Sequence, residues 1–338
     1  MSGTSLDGID LCYCCFSDEG RGFSILASST YNYSDDWKER LKNAIHLSGE
    51  DLTALDSDLA SLFASVINAF IEEKKIKKLD AIASHGHTVF HQPHKQFTLQ
   101  IGSGAYVAAL TKNKVISDFR SADVVLGGQG APLVPIGDRD LFKDYSNRLN
   151  LGGFGNISFE KGGLTLAFDI CPVNMALNEM ASHFNLSYDE DGAIARSGEV
   201  NEELFDRLNS LAYYREKAPK SLGAEWYLNV FKPVLIASNV DAKDKLRTLV
   251  EHIAYQLTNC FVDGNVLLSG GGAHNSFLVE RIKANSANQI IIPDSNIIDY
   301  KEALVFAYLA YLRLQNKNNV LASVTGAIKD HCAGSIHC

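Results

Sequence analysis

Nothing in this chain provides for a membrane span, for holding a nucleic-acid backbone or for a disulfide framework. No uninterrupted apolar run approaches the length needed to cross a bilayer, although hydrophobic residues make up 46% of the 338. There is no basic excess either: 31 Lys and Arg against 40 Asp and Glu leave a formal charge of -9. That balance argues against partners held through phosphate contacts, so neither nucleic acid nor membrane is expected as a partner. No charged n-region followed by an apolar h-region opens the chain, and a cytoplasmic location follows as the expectation. The seven cysteines are odd in number and contain no CxxC pair, and Cys12, Cys14 and Cys15 crowd one apparent strand. Reduced, mostly buried thiols are expected, with no cysteine metal site. Low-complexity segments and short-period repeats are also missing.

What is present alternates between strands and helices, as an α/β protein does. "IDLCYCCFSDEGRGFSILASS" is predicted to be a β-hairpin, and Leu52 to Ile71 places Leu55, Leu59, Leu62, Phe63, Val66, Ile67 and Phe70 at helical spacing. "LDAIASHGHTV" reads as a strand running into a loop, "GSGAYVAALT" as a helix start and "KVISDF" as a strand. Between Arg120 and Pro135, three glycines and two prolines suit a crossing between domains better than regular structure. "LNLGGFGNISFEKGGLTLAFDI" then repeats the opening pattern of strands and Gly-rich turns. A helix from about Val173 to Phe184, one from Asp241 to Phe261 capped by Asp241, the strand "NVLLS" and a final helix Lys301 to Leu314 complete the reading.

Three Gly-rich turns stand out: Gly3 to Gly8, Gly152 to Asn156, and Gly270 to Gly272. Glycine lets backbone N–H groups reach phosphoryl oxygens without a Cβ in the way. Neither GxxxxGK[ST] nor GxGxxG occurs at these turns, which removes the P-loop and dinucleotide-fold readings. Two halves that each begin with a hairpin and a glycine turn suggest a clamp on a polyphosphate.

"MSGTSLDGID", "SHGHTVFHQP", "DFRSADVVLGGQGAPLVP", "LNLGGFGNISF", "FDICPVN", "SGGGAHN", "EALVFAYLAY" and "SVTGA" follow one another from Met1 to Ala327. In that order they resemble the motifs of the anhydro-N-acetylmuramic acid kinases. The resemblance implies a two-lobed, actin-like ATPase architecture of the α/β class, each lobe ribonuclease-H-like, with a cleft between them; the lobes would be 1–119 with 303–338, and 120–302. It also implies ATP with Mg²⁺, the substrate 1,6-anhydro-N-acetylmuramic acid, a homodimer, and a role in peptidoglycan recycling. By position, Gly3, Thr4, Ser5, Leu6, Asp7, Gly8, Ile9 and Asp10 match the first phosphate loop, and Gly152, Gly153 and Asn156 the second. Gly270, Gly271, Gly272 and Asn275 match the adenosine side, Asp169 the catalytic base, and Arg120, Asn174 and Glu302 the sugar pocket. Asp7 and Asp10 suit placement of Mg²⁺ through water. Arg120 suits the lactyl carboxylate through its planar fork.

Each role has a plainer counterpart in the residues alone. Asp169 suits an N-cap for the helix near Val173, Asp7 and Asp10 suit turn formation, and Glu302 suits the first turn of its helix. The chain also departs from the family pattern. Cys171 and Val173 stand where relatives carry glycines, and His87 where they carry Gln. In relatives an apolar strand precedes the first loop, and such a strand is expected upstream of Met1.

Two rival functions follow from other features. His87 and His91 have the HxxxH spacing of a metal-dependent carbamoyl transferase, a cousin in the same superfamily, which requires a helix there. β-Branched Thr88 and Val89, with Pro93 close behind, predict an extended loop instead. A nucleotide-dependent switch is the non-enzymatic rival, but "KDHCAGSIHC" is too short for a peptide-binding domain.

Overall fold

The structure, a computed structural model, describes residues 1–3, 6–17, 22–218 and 220–338 and is a mixed α/β protein. It divides into two compact units, Met1–Leu141 with Tyr300–Cys338, and Phe142–Asp299. Arg120 to Leu141 and Tyr300 to Glu302, expected with the second half, therefore pack with the first unit. The reason is side-chain chemistry: Arg120 donates to His85, Thr325 Oγ1 to Asp123, and Lys301 Nζ to Asp138.

In the first unit, β1 (Gly8–Phe16) and β2 (Phe23–Asn32) form the expected antiparallel hairpin, with a register shift between Tyr13 and Cys14. The strand expected around "LDAIASHGHTV" is only β3 (Ile82–Ala83), and its loop continues as β4 (His87–Gln92), which pairs with β5 (Phe97–Ile101). β6 (Val115–Ser117) lies parallel to β3 and antiparallel to Ser335–His337. The strands are thus shared among three small sheets.

Helix α1 (Gly49–Glu73) starts where Ser48 accepts the Asp51 N–H, and it buries Leu55, Leu59, Phe63, Ile67 and Phe70 as the periodicity predicts. By length and composition this helix is apolar enough to cross a membrane. Its apolar residues are spaced along the helix rather than strung in one uninterrupted run, so it passes by average hydropathy over the window and not as a continuous apolar stretch. α2 (Gly104–Thr111) follows β5. A cavity of about 400 Å³ lies inside this unit, lined by Leu11, Tyr13, Ile67, Phe70, Ile82 and Phe306 among others.

The second unit has one five-stranded sheet. β7 (Asn147–Leu151), β8 (Phe154–Lys161) and β9 (Leu164–Pro172) run antiparallel in sequence, and β10 (Asn265–Ser269) and β11 (Gln289–Ile291) add in parallel beside β7. The order β11-β10-β7-β8-β9 puts the first strand of the unit at the centre, as a ribonuclease-H-like sheet does. α3 (Asn174–Ser182), α4 (Ala242–Thr258) and α5 (Ser276–Ala284) accompany this sheet, and its core gathers Leu149, Leu151, Ile170, Leu249, Ile253 and Leu268. Asp241 holds the position before α4, but its side chain makes no capping hydrogen bond.

The crossing segment is more regular than its composition predicts, since Ser121–Val125 is helical. The last long helix, α6, is also longer than expected, Ser295–Leu314. Asp294 accepts the N–H groups of Asn296 and Ile297 and so sets its start six residues before Lys301. Glu302 consequently lies about two turns in, and the first-turn dipole reading for it falls.

Candidate functional site

In the second unit the sheet brings two glycine turns to the same strand ends. Gly152 and Gly153 join β7 to β8, and their carbonyls accept from the start of α3: Asn174 N–H reaches Gly152 O at 3.1 Å, and Val173 and Met175 N–H reach Gly153 O at 2.8 and 3.2 Å. Asn174 Nδ2 also donates to Leu151 O at 3.1 Å. The second turn follows β10. Gly270 has φ +80°, and a Cβ there would meet Asn150 Oδ1 at 2.6 Å, while one on Gly272 would meet Leu151 Cβ at 2.8 Å. Only glycine fits such an approach. Gly153 and Gly271 are open instead, with nothing nearer their Cβ positions than Met175 Cε at 4.0 Å and Asn174 Nδ2 at 3.8 Å.

Among the described residues, the N–H groups of Gly152, Gly153 and Gly271 meet no protein acceptor. Open backbone donors on an uncrowded face are the donor set that phosphoryl oxygens take. Asn275 Oδ1 accepts the Leu278 N–H at 2.9 Å and caps α5.

Asp169 lies inside β9, four residues before the start position of α3, which Val173 holds. It is therefore no helix cap. The β8–β9 ladder shifts register between Gly155 and Asn156, which sets Asn156 opposite Asp169. The carboxylate is half-buried; Oδ2 accepts the Leu222 N–H at 2.9 Å, and no cation pairs with it among the described residues. Burial pushes its pKa above the usual carboxylate range, and the Leu222 N–H pulls the other way. Its main chain is held as well: Tyr213 Oη donates to Asp169 O at 2.6 Å, and Asp169 N–H donates to Lys220 O at 3.3 Å. Cys171 and Val173, the departures from the family pattern, are fully buried and fill the core.

In the first unit Arg120 is held on two sides. Nε and Nη2 both reach His85 Nε2, at 3.0 and 2.8 Å, and Nη1 donates to Gly130 O at 2.6 Å. Gly130 N–H in turn donates to Asp123 Oδ2 at 2.7 Å, and Asp123 Oδ1 accepts from Thr325 Oγ1 at 2.7 Å. The Glu302 side chain reaches solvent, yet the protein around it displaces enough water to push its carboxyl above the usual range, with Arg120 opposing. Asp10 belongs to β1 and accepts from Thr30 Oγ1 at 2.6 Å, while Asp7 is exposed and its carbonyl accepts the Tyr33 N–H at 3.3 Å. Gly8 is required beside β2, because a Cβ would meet Tyr31 O at 2.6 Å. Ile9 is core, and Leu6 N–H donates to Gly3 O at 3.3 Å. Thr4 and Ser5 lie outside the described residues.

The family model for anhydro-N-acetylmuramic acid kinase matches residues 1–338. Curated proteins of that name from a Sulfurovum species and from Vibrio cholerae are 37% and 36% identical over all of this chain and 97% and 96% of theirs. The chain belongs to the anhydro-N-acetylmuramic acid kinase family. A protein of that name from Haemophilus influenzae is 34% identical over 99% of this chain and 96% of its own. Among solved structures, an activator of 2-hydroxyisocaproyl-CoA dehydratase from Clostridium difficile with bound ADPNP is 17% identical at a TM-score of 0.36, covering 60% of this chain and 68% of that one. Membership makes the chain a kinase, a transferase of cell-wall sugar metabolism.

The rival metal reading loses its geometry in this kinase. His87 and His91 sit on extended β4, where His87 Nδ1 meets Ser2 Oγ at 3.1 Å and His91 Nδ1 meets Thr98 Oγ1 at 3.1 Å. Sequence reasoning missed His85, Asp123, Tyr213, Lys220 and Leu222 as supports of the candidate residues. His85 was legible only as part of "SHGHT", and the 213–222 stretch carries neither glycine motif nor charge pattern that would single it out.

Proposed function

We propose that this kinase opens the anhydro bridge of 1,6-anhydro-N-acetylmuramic acid with water and phosphorylates O6 from ATP, giving N-acetylmuramic acid 6-phosphate. Asp169 carries the reading: a half-buried carboxylate with one oxygen on the Leu222 N–H and the other open, and a pKa raised by burial, suits a general base. Asp169 takes a proton from water as that water attacks the anomeric carbon. The C1–O6 bond breaks, and O6 accepts the γ-phosphoryl group as ADP leaves.

The open N–H groups of Gly152, Gly153 and Gly271 would receive phosphoryl oxygens, with Gly270 and Gly272 fixing the turn. Asn174 ties that turn to α3. Arg120 keeps one N–H on each of Nη1 and Nη2 for the lactyl carboxylate, a two-pronged match, and Glu302 accepts a sugar hydroxyl.

No cluster of three or more His, Cys, Asp or Glu residues able to hold a metal occurs among the described residues. That donor set fits Mg²⁺ carried chiefly by phosphate and water, with Asp10 and Asp7 as the carboxylates that would assist. When bound, Mg²⁺ neutralises charge developing on the phosphates. A homodimer in the cytoplasm serving peptidoglycan recycling completes the proposal.

The test couples ADP release to product mass. ATP turnover that depends on the anhydro sugar, with a product heavier by one phosphoryl group and one water, is the expected result. ATP turnover indifferent to the sugar would overturn it.

A further inference from the structure

We propose that His85 is the positioning residue for Arg120: a neutral imidazole, protonated on Nδ1, that accepts two guanidinium N–H groups and turns the remaining pair toward the sugar carboxylate. The inference rests on Arg120 serving that carboxylate.

The hydrogen bonds dictate the tautomer. Arg120 is a donor only, so Nε2 of His85, which meets both Nε and Nη2 at 3.0 and 2.8 Å, has to carry a lone pair. Nδ1 lies 2.9 Å from Gly86 O, an acceptor only, so the proton sits there. An imidazolium would set N–H against N–H at Arg120. Burial and the Arg120 charge hold His85 well below the ordinary imidazole range, in keeping with that state.

The ring is fixed mechanically too. Phe306 of α6 meets it edge-on at 4.7 Å between centroids, and the Arg120 guanidinium carbon lies 5.9 Å from the same phenyl ring. On the opposite flank Nη1 is tied to Gly130 O, whose loop is anchored by Asp123, a carboxylate with no exposure. Three of the five guanidinium donors are thereby spent on protein acceptors. No carboxylate forms an ion pair with Arg120 among the described residues; burial lowers its pKa, and Glu302 and Asp123 nearby only oppose that. An acceptor without charge is what this arrangement needs. A carboxylate in place of His85 would neutralise the guanidinium before substrate arrives, whereas a neutral imidazole orients it and leaves its charge for the ligand.

The experiment measures binding by calorimetry for 1,6-anhydro-N-acetylmuramic acid and for the same anhydro sugar without its lactyl group. His85→Phe keeps a ring but has no acceptor, and it is expected to weaken binding of the carboxylate-bearing sugar about tenfold, the loss of one charge-assisted hydrogen bond, while barely changing the other sugar. His85→Gln offers an amide oxygen to the same donors and is expected to restore most of the affinity. Equal loss for both sugars, or no loss in His85→Phe, overturns the proposal. Arg120→Ala separates the two readings. If it leaves the preference for the carboxylate intact, the role of Arg120 in the proposed function fails; if it abolishes the preference and His85→Phe does not, only the role of His85 fails. A readout that does not depend on sugar binding is the imidazole nitrogen spectrum of the wild-type protein at pH 7. It is expected to show a buried histidine protonated on Nδ1 that is lost in His85→Gln, and an Nε2-protonated or doubly protonated ring at His85 overturns the assignment.

Discussion

The two units hold their candidate residues by different means. In Phe142–Asp299 the site is carried by backbone: glycine turns leave the ends of β7 and β10 in one five-stranded sheet, and Asp169 is a strand residue. In Met1–Leu141 with Tyr300–Cys338 the strands are split among three small sheets, and Arg120 is placed by the His85 ring and by the Gly130 carbonyl, whose loop the Asp123 side chain anchors. Each unit also holds a buried histidine whose Nδ1 faces an oxygen acceptor. His252 meets Asn209 Oδ1 through Nδ1 at 2.7 Å and the Tyr214 hydroxyl through Nε2 at 3.0 Å, where His85 meets Gly86 O and Arg120. One ring ties structure to structure, the other ties structure to a cation left free for a ligand. A sheet can position backbone donors directly, whereas a long side chain such as arginine has to be oriented by partners of its own.

The largest expected effect tests the sheet-borne half. Asp169→Asn should lower kcat by about 10²- to 10⁴-fold, as for loss of a general base, with ATP affinity unchanged. Because burial raises the Asp169 pKa, the folded protein holds that proton more tightly than the unfolded chain does, and ionisation at neutral pH costs the fold some stability. The Asn variant should therefore melt no lower than the wild type, and the wild-type rate should fall on an acid limb lying above the ordinary carboxylate range. Near wild-type turnover would remove Asp169 from the mechanism.

Core truncations compare the packing of the units. Leu268→Ala, in a fully buried strand position of the single sheet, should cost about 3 kcal/mol in chemical denaturation. Leu11→Ala, at a half-buried position already facing the cavity, should cost about 1 kcal/mol. Equal costs would mean that the first unit is as tightly packed as the second.

Acid should reach the second unit through His252. Burial lowers its pKa from 6.5 to about 3, so below pH 6.5 the unfolded chain binds a proton that the folded one refuses. Stability is complete above pH 6.5 and is lost as the pH falls toward about 3, with a slope approaching about 1.4 kcal/mol per pH unit. His252→Gln should flatten that part of the profile, measured by denaturation at a series of pH values. The smallest effect is in hydrogen exchange: amides of β2, paired in a two-stranded sheet with β1, should exchange before those of β7, which has partners on both sides. Identical protection would erase the comparison.

Sequence alone determined the hairpin, the buried face of α1, the strand–turn–strand opening of the second unit and the order of the motifs. These are local: apolar spacing and turn residues declare themselves within a dozen positions. It also marked Asp169, Arg120 and the glycine turns, because motif order needs no geometry. Tertiary structure alone decided where the units divide, that Glu302 lies two turns inside α6, that Asn275 caps α5, and that His91 pairs with Thr98 on an extended strand. It alone decided as well that Leu222, 53 residues from Asp169, supplies the carboxylate's hydrogen bond, and that His85, 35 residues from Arg120, supplies the acceptor for the guanidinium. Such pairings depend on chain segments meeting across a fold, and a hydrogen bond between distant residues leaves no periodicity in the sequence from which to read it.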